Sequence, residues 1–159
     1  MSGAKVESIG PYLEPLHKSV VVSCAPEKAF EVFTRRIGDW WPLHAGYSVF
    51  GKDSATCVIE PHQGGAIMEL AKDGRQCIWG RVITWDPPRG LSFSWFPGRE
   101  ADSAQTVEIR FVEEAAGTRM ELEHRDWQTL GAQAAEMREG YSNGWNLVLE
   151  KYGDAASAG

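Results

Sequence analysis

Residues 55–124 constrain the fold most, because apolar and polar residues alternate there through six short segments in succession. The segment LSFSWF, for example, places its large apolar residues on one face and its serines on the other. A period of two is typical of a half-buried β-strand. Since short turns join the segments, we expect consecutive strands to pair antiparallel in a meander. The predicted strands are 55–60, 66–70, 76–86, 91–96, 105–113 and 118–124.

Further elements flank this meander on both sides. Residues 17–24 are β-branched and predict another strand, and the helix pattern that follows begins at Pro26 and ends at Gly38. The segment GDWWPLH comes next, as a short helix or tight loop. Over about residues 130–152, apolar side chains recur at steps of three or four, which predicts a long amphipathic helix. This helix alone has an apolar stripe large enough to cover the sheet, so we expect an α+β fold.

The chain length of 159 residues suits one domain with a real core. We expect a flexible leader at residues 1–15, a single domain at 16–152 and a disordered tail at 153–159. No run approaches the ~20 apolar residues of a membrane span, and no signal peptide is evident, so we expect a cytoplasmic protein without a membrane span.

Charge and cysteine content exclude several classes of function. With 22 acidic and 16 basic residues the net charge is -6, which disfavours a nucleic-acid partner. The three cysteines are widely spaced without a CxxC motif, which fits free thiols in a reducing compartment and gives a zinc site no support. We expect neither a metal nor a cofactor.

Two glycines interrupt the long C-terminal helix. Gly140 and Gly144 each cost about 1 kcal/mol relative to alanine in a helix interior. Gly144 lies next to the inward stripe, between Tyr141 and Trp145. One interpretation is close packing of the helix on the sheet. The other is empty volume beneath the helix that a ligand occupies.

GDWWPLH places two tryptophans side by side, and neighbouring side chains face different directions in any regular element. We expect Trp41 to face the mouth of a cavity, whereas Trp40 seals the seam between the short helix and the sheet. The alternative is that both rings are ordinary core packing.

His124 and Arg81 are the polar residues of greatest interest. Alternation places His124 on the inward face, either as a structural imidazole, as a hydrogen-bonding group of a cavity, or as a catalytic base. Arg81 shares a predicted strand face with Trp79 and Trp85. It is an anion-binding candidate if that face turns inward, and a solvated surface residue if it turns outward. No nucleophile with a base and carboxylate is recognisable, so no catalytic residue is assigned.

The ordered segments APEKAFEVFT, DWWP, GRVITWDPPRGLSFSW, TVEIRFVEEAAGTRMELEH and GYSNGWNLVLEKY resemble the activator of heat-shock-protein ATPase homologue domain. This domain belongs to the START-like (SRPBCC), birch-pollen-allergen-like superfamily, and the resemblance covers about residues 16–152. It implies the helix-grip fold, in which a curved antiparallel sheet wraps around a long C-terminal helix, with two short helices after the first strand.

The resemblance also implies a cavity between sheet and helix. We expect a small apolar or aromatic molecule as its ligand, since members of the superfamily bind lipids, hormones or polyketides. A chaperone partner and a cyclase or hydrolase activity are the alternatives. About 15 residues precede the first strand, too few for the extra N-terminal domain of the eukaryotic co-chaperone, which favours the ligand. The expected ligand-binding residues are Trp41, Phe50, Trp79, Phe93, Trp95, Phe111, Leu122, His124, Met137, Tyr141 and Trp145.

Overall fold

Seven antiparallel strands form one continuous sheet in the computed structural model, which describes residues 12–158. The strands lie in the order β1-β7-β6-β5-β4-β3-β2, so the six predicted strands form the expected meander and the first strand joins it beside the last. In β6 and β7 the inward side chains are buried and their neighbours more exposed, as the alternation predicts. The strands are β1 Leu16–Val22, β2 Ser54–Ile59, β3 Ala66–Ala71, β4 Gln76–Asp86, β5 Gly90–Trp95, β6 Gln105–Glu114 and β7 Gly117–Arg125.

Three α-helices accompany the sheet among the described residues: α1 at Pro26–Thr34, α2 at Ile37–Trp40 and α3 at Ala134–Ser157. The prediction that α1 begins at Pro26 is confirmed, but it ends at Thr34 rather than at Gly38. Gly38 instead lies inside α2, where a side chain would collide with the Thr56 hydroxyl. The glycine is therefore needed for close packing of α2 on β2.

Helix α3 lies across the concave face of the sheet, and the helix-grip fold is therefore confirmed. Its inward side chains are buried, and the Tyr152 hydroxyl donates a 2.8 Å hydrogen bond to the Ala29 carbonyl of α1. A broken 3-10 segment, Trp127–Gln133, joins β7 to this helix. Within residues 12–158, no helix combines the length and the apolar character needed to cross a membrane.

Both ends of α3 differ from the prediction. The regular helix begins at Ala134, later than the expected residue 130, because Gly131 has non-helical backbone angles. At its other end it continues to Ser157, through residues predicted to be a disordered tail. Ala156 is fully buried there, and the Ser157 hydroxyl accepts a 3.1 Å hydrogen bond from the Ser23 amide. These contacts hold the last turn against β1.

The expected leader falls mostly outside the described residues. Positions 12–15, which the structure does describe, have no regular secondary structure. Arg138 of α3 donates a 2.7 Å hydrogen bond from Nε to the Glu14 carbonyl and thereby ties this segment to the helix.

In strand β4, side chains two residues apart do not all lie on the same face of the sheet, although the period-two pattern predicts that they do. Its register shifts against β3 at Trp79 and against β5 at Ile83, which is the signature of two β-bulges. Each extra residue moves the side chains that follow it to the opposite face of the sheet. Trp79 is therefore buried, whereas Arg81, two residues later, is exposed. Arg81 is therefore a solvated surface residue. The alternative prediction, that Arg81 faces inward and binds an anion, is wrong.

Candidate functional site

A cleft of about 610 Å³ lies between the sheet and the N-terminal half of α3. One wall is the segment 46–49, which follows α2, and the other is the N-terminal half of α3. The base consists of side chains from β4, β5 and the α2 terminus. A concave site with an aromatic lining and a few polar groups is the usual form of a small-molecule site.

Three indoles form the apolar base of the cleft. The ring centroids of Trp41 and Trp79 lie 5.4 Å apart, and the ring of Trp95 lies 5.8 Å from each of them. All three rings are tilted or edge-on to one another, a favoured arrangement for aromatic pairs. Because the rings are inclined by 45–75° to one another, they form a rigid apolar base rather than one flat face.

The adjacent pair in GDWWPLH faces two separate environments. Trp41 lines the cleft, and its Nε1 donates a 2.9 Å hydrogen bond to the Tyr47 carbonyl. Trp40 turns the other way, against Phe33 and Tyr152, and its Nε1 donates to the Val32 carbonyl. Trp41 thus lines the cleft, and Trp40 packs against α1 and α3.

Gly140 and Gly144 stand one turn apart on the wall that α3 contributes. A Cβ atom at Gly140 would meet no heavy atom within 4 Å. One at Gly144 would meet only the Tyr47 ring, at 3.4 Å. Close packing against the sheet therefore does not explain either glycine. The structure favours the other interpretation, in which the missing side chains leave the cleft open.

Glu69 holds the opposite wall in place. Its carboxylate is fully buried and accepts hydrogen bonds from the Val49 amide at 2.7 Å, the Phe50 amide at 3.0 Å and Trp79 Nε1 at 3.2 Å. Three N–H donors thus satisfy the buried carboxylate in place of a cation. The alternation of Glu69 with Ile67 in β3 already places its side chain on the inward face of the sheet.

A polar cluster borders the cleft beside Tyr141. The Tyr141 hydroxyl accepts a 3.1 Å hydrogen bond from Arg99 Nη2, and the same nitrogen donates to Gln105 Oε1 at 3.1 Å. Arg99 lies in the loop after β5, where the sequence carries no motif that would place it near α3. It is the functional candidate that sequence reasoning missed entirely.

His124 lies behind this cluster, fully buried. Its ring stacks on Trp127 with centroids 4.1 Å apart, and its Nδ1 accepts a 2.9 Å hydrogen bond from Trp145 Nε1. Burial, and secondarily the positive charge of Arg99, lowers the pKa of the imidazole to about 3. His124 is therefore neutral across the physiological range and unsuited to act as a base that becomes protonated there.

The eleven predicted site residues separate into two groups. Five line the cleft, namely Trp41, Trp79, Trp95, Met137 and Tyr141. The others lie elsewhere: Phe50 stacks under Arg75 outside the cleft, whereas Phe93, Phe111, Leu122, His124 and Trp145 are core residues. Phe111 is typical, because α1 covers it with Phe30 and Phe33. A ligand contact at any of the eleven stays a prediction.

A second hollow, of about 370 Å³, lies on the outer face of β1, β6 and β7 and has different chemistry. Its charged side chains pair with one another: Glu108 accepts from Arg125 at 2.9 Å and from Arg110 at 3.1 Å. These half-buried pairs neutralise one another, and Lys18, which also lines the hollow, donates to Asn146 Oδ1 at 3.0 Å. The aromatic cleft is therefore the candidate site.

Comparison with known families gives one match over most of the chain. The model of the AHSA1 family, described as activator of Hsp90 ATPase homolog 1-like protein, matches residues 23–153. No match is found among curated protein sequences.

Several solved structures share this fold, and one of them is a synthase. An anthrahydroquino-γ-pyrone synthase, Txn09, solved in a complex, is 33% identical, with 92% of this chain and 96% of that chain covered and a TM-score of 0.57. A protein from Mesorhizobium loti is 17% identical, covering 89% and 96%, with a TM-score of 0.65. The Aha1 dimer from Colwellia psychrerythraea is 15% identical, covering 91% and 97%, with a TM-score of 0.62. The last two show the fold alone.

Proposed function

Because the chain belongs to the AHSA1 family of the START-like superfamily, whose fold is a ligand-binding fold, we propose that it binds a planar aromatic small molecule in the cleft beside α3. The observation that carries this proposal is the combination of a base of three indoles with a wall that two glycines leave open. A rigid system of two or three fused aromatic rings suits this base better than a flexible acyl chain does, because aromatic rings gain from offset and edge-to-face contacts with indoles and lose little conformational freedom.

The neighbouring synthase supports the aromatic class of ligand. Txn09 is described as forming an anthrahydroquino-γ-pyrone, and its 33% identity extends over 92% of this chain. Fused aromatic rings bearing oxygen atoms are therefore the first ligands to test.

The direct test is quenching of tryptophan fluorescence by anthraquinone-2-carboxamide, a neutral three-ring probe. We expect saturable quenching by the wild-type protein. Gly144→Phe places a ring in the cleft and should weaken binding more than about tenfold, because a ligand site normally buries most of its ligand's surface. Its matched control is Asn143→Phe, which adds the same ring at an exposed position of the same helix.

Two results would contradict the proposal. One is wild-type protein that shows no saturable response to the probe. The other is equal loss of binding in Gly144→Phe and Asn143→Phe, which would place the effect outside the cleft. In the first case the chaperone partner becomes the leading alternative, and stimulation of a chaperone ATPase becomes its test.

Ring-forming catalysis is a second candidate function, favoured by the identity with the γ-pyrone synthase. The matching reaction joins a phenol oxygen to a ketone carbon of a 1,3-diketone side chain and releases one water. Mass spectrometry of such a hydroxyanthraquinone with and without the protein tests it. Faster loss of water with wild-type protein, and not with Gly144→Phe, is the expected result. Equal rates with and without the protein would exclude it.

The cytoplasm is the location we propose. Cys24, Cys57 and Cys77 are all free thiols, which is usual in a reducing compartment. Burial, and secondarily the Glu69 carboxylate, raises the pKa of Cys57 to about 12, so this thiol stays protonated. Cell fractionation followed by detection of the protein checks the proposal, and recovery in a secreted fraction would contradict it.

A further inference from the structure

Arg99 lies beside the cleft with a charge that no anion balances. Its Nη1 donates to the carbonyl and hydroxyl of Ser103, at 2.8 and 2.9 Å, and its Nη2 donates to Gln105 and Tyr141. All of these acceptors are neutral. Within the described part of the chain, no carboxylate lies at ion-pair distance from Arg99. A half-buried guanidinium in this position attracts negative charge.

Tyr141 connects this charge to the cleft. Its side chain lines the cleft, and its oxygen already accepts a hydrogen bond from Arg99. The hydroxyl proton is then free to be donated, and residues 12–158 offer it no acceptor. A hydroxyl that accepts from a cation is a stronger donor, because hydrogen bonds in a chain polarise one another.

Two further donors near this end of the cleft have no acceptor. Trp95 lines the cleft and is almost fully buried, and its Nε1 is without a partner among the described residues. The ring of His124 lies 4.9 Å from that of Tyr141, and its Nδ1 accepts from Trp145. Nε2 therefore carries the proton of the neutral imidazole, and it too lacks a partner over the described range.

The region around Tyr141 thus contains several N–H and O–H hydrogen-bond donors without acceptors. Among the residues that line the cleft, Glu136 alone is charged, and it is exposed at the mouth, where water and salt screen it. Buried donors without acceptors are uncommon in folded proteins, and each one calls for an explanation. For Tyr141, whose side chain lines the cleft, an oxygen of a bound ligand supplies the missing acceptor.

We propose that the cleft selects aromatic ligands that carry an anionic oxygen, that Tyr141 donates a hydrogen bond to this oxygen, and that Arg99 supplies the balancing positive charge. The ligand class is a fused aromatic carboxylate, phenolate or enolate. This inference rests on the proposed function, because it specifies the chemistry of the molecule bound in the same cleft. Tyr141 is a ligand-binding residue in this account, and Arg99 acts through it.

The test compares two probes of nearly equal shape, anthraquinone-2-carboxylate and anthraquinone-2-carboxamide. We expect the wild-type protein to bind the carboxylate about tenfold more tightly, since hydrogen bonds to charged groups are the stronger ones. Added salt should weaken binding of the carboxylate and leave that of the carboxamide nearly unchanged. The salt dependence needs no variant, so it does not depend on whether a substitution perturbs folding.

Tyr141→Phe should bring the affinity ratio of the two probes close to one while the ring and the fold remain. Tyr47→Phe is the matched control, because it removes another tyrosine hydroxyl of the cleft that makes no contact with Arg99. It should keep the preference for the carboxylate, whatever its effect on affinity. Arg99→Lys keeps the charge and loses the forked geometry, so we expect an intermediate ratio.

The outcomes separate the two proposals. Equal binding of both probes by the wild-type protein overturns the anion preference and leaves the aromatic cleft intact. A preference that survives in Tyr141→Phe overturns the role of Tyr141. Failure of both probes to bind overturns this inference together with the proposed function.

Discussion

His124 is a fully buried polar residue near the cleft, and its ring contacts the rings of Trp127 and Tyr141. The hydrogen bond from Trp145 Nε1 to its Nδ1 requires the imidazole to be unprotonated at that nitrogen. Burial and the nearby Arg99 both oppose a positive charge on the ring and lower its pKa to about 3. The histidine therefore links the stability of this end of the fold to pH.

This linkage predicts that acid destabilises the protein through His124. Below about pH 6.5 the unfolded chain binds a proton at this histidine, whereas the folded protein does not bind it until about pH 3. Stability should therefore fall as pH decreases through this window, by about 1.4 kcal/mol per pH unit from this group. His124→Asn keeps an oxygen acceptor for Trp145 but cannot titrate.

Urea unfolding at about pH 7, 6 and 5 measures the effect. The free energy of unfolding of the variant should be lower than that of the wild type at neutral pH, because the smaller side chain leaves a cavity. Its decline with acid should be shallower, so that the two curves approach each other. Parallel curves would contradict the neutral, buried imidazole.

Among the secondary-structure elements, α3 has two different parts: its C-terminal part packs in the core, and its N-terminal part lines the cleft. From Trp145 onward its inward side chains, such as Val148 and Tyr152, are buried, whereas Gly140 lines the cleft. Glycine in a helix interior lowers stability, and here no packing contact offsets the loss.

Gly140→Ala should therefore stabilise the protein. We expect a gain of about 0.5–1 kcal/mol in the free energy of unfolding, because alanine has the higher helix propensity and its Cβ meets no atom within 4 Å. Thermal unfolding should show a midpoint raised by roughly 1–4 °C for a chain of this size. A lowered midpoint would mean that Gly140 packs closely against another group.

The segment 46–49 is an irregular wall of the cleft, and Glu69 holds its C-terminal end in place through the amides of Val49 and Phe50. Glu69→Gln replaces one acceptor oxygen by an NH₂ group, which would face an amide N–H of Val49 or Phe50. The expected cost is about 1–3 kcal/mol, as for other buried groups left unsatisfied. Hydrogen exchange at these two amides should accelerate strongly.

Glu60→Gln serves as the control for this prediction. Glu60 is exposed and accepts a single amide bond, from Ala66 at 2.7 Å, so its substitution should change stability far less. Comparable losses in the two variants would contradict the tethering role of Glu69.

The strands could be predicted from sequence because alternation is a local signal, and all seven lie close to their expected positions. The bulges of β4 could not, because a bulge depends on how the partner strands twist rather than on the residues within the strand. The continuation of α3 to Ser157 was missed for a similar reason. Its small residues become helical through contacts with β1 that lie far away in sequence.

For the whole molecule, the fold and its cleft could be predicted, but the boundary of the cleft could not. The inward face of the sheet extends over its full length, yet α1 and the C-terminal half of α3 fill most of it. Core residues such as Phe111 and Leu122 therefore look the same in sequence as the lining residues Trp79 and Trp95. One wall of the cleft comes from the segment 46–49, whose sequence has no periodic signal.

The most direct test of an aromatic ligand in this cleft uses the seven tryptophan side chains. Their indole N–H signals can be followed by NMR during titration with anthraquinone-2-carboxylate. The signals of Trp41, Trp79 and Trp95 should shift and saturate together, while that of Trp85, which packs on Phe30 away from the cleft, should not move. Absence of any shift, or a shift confined to Trp85, would contradict the account.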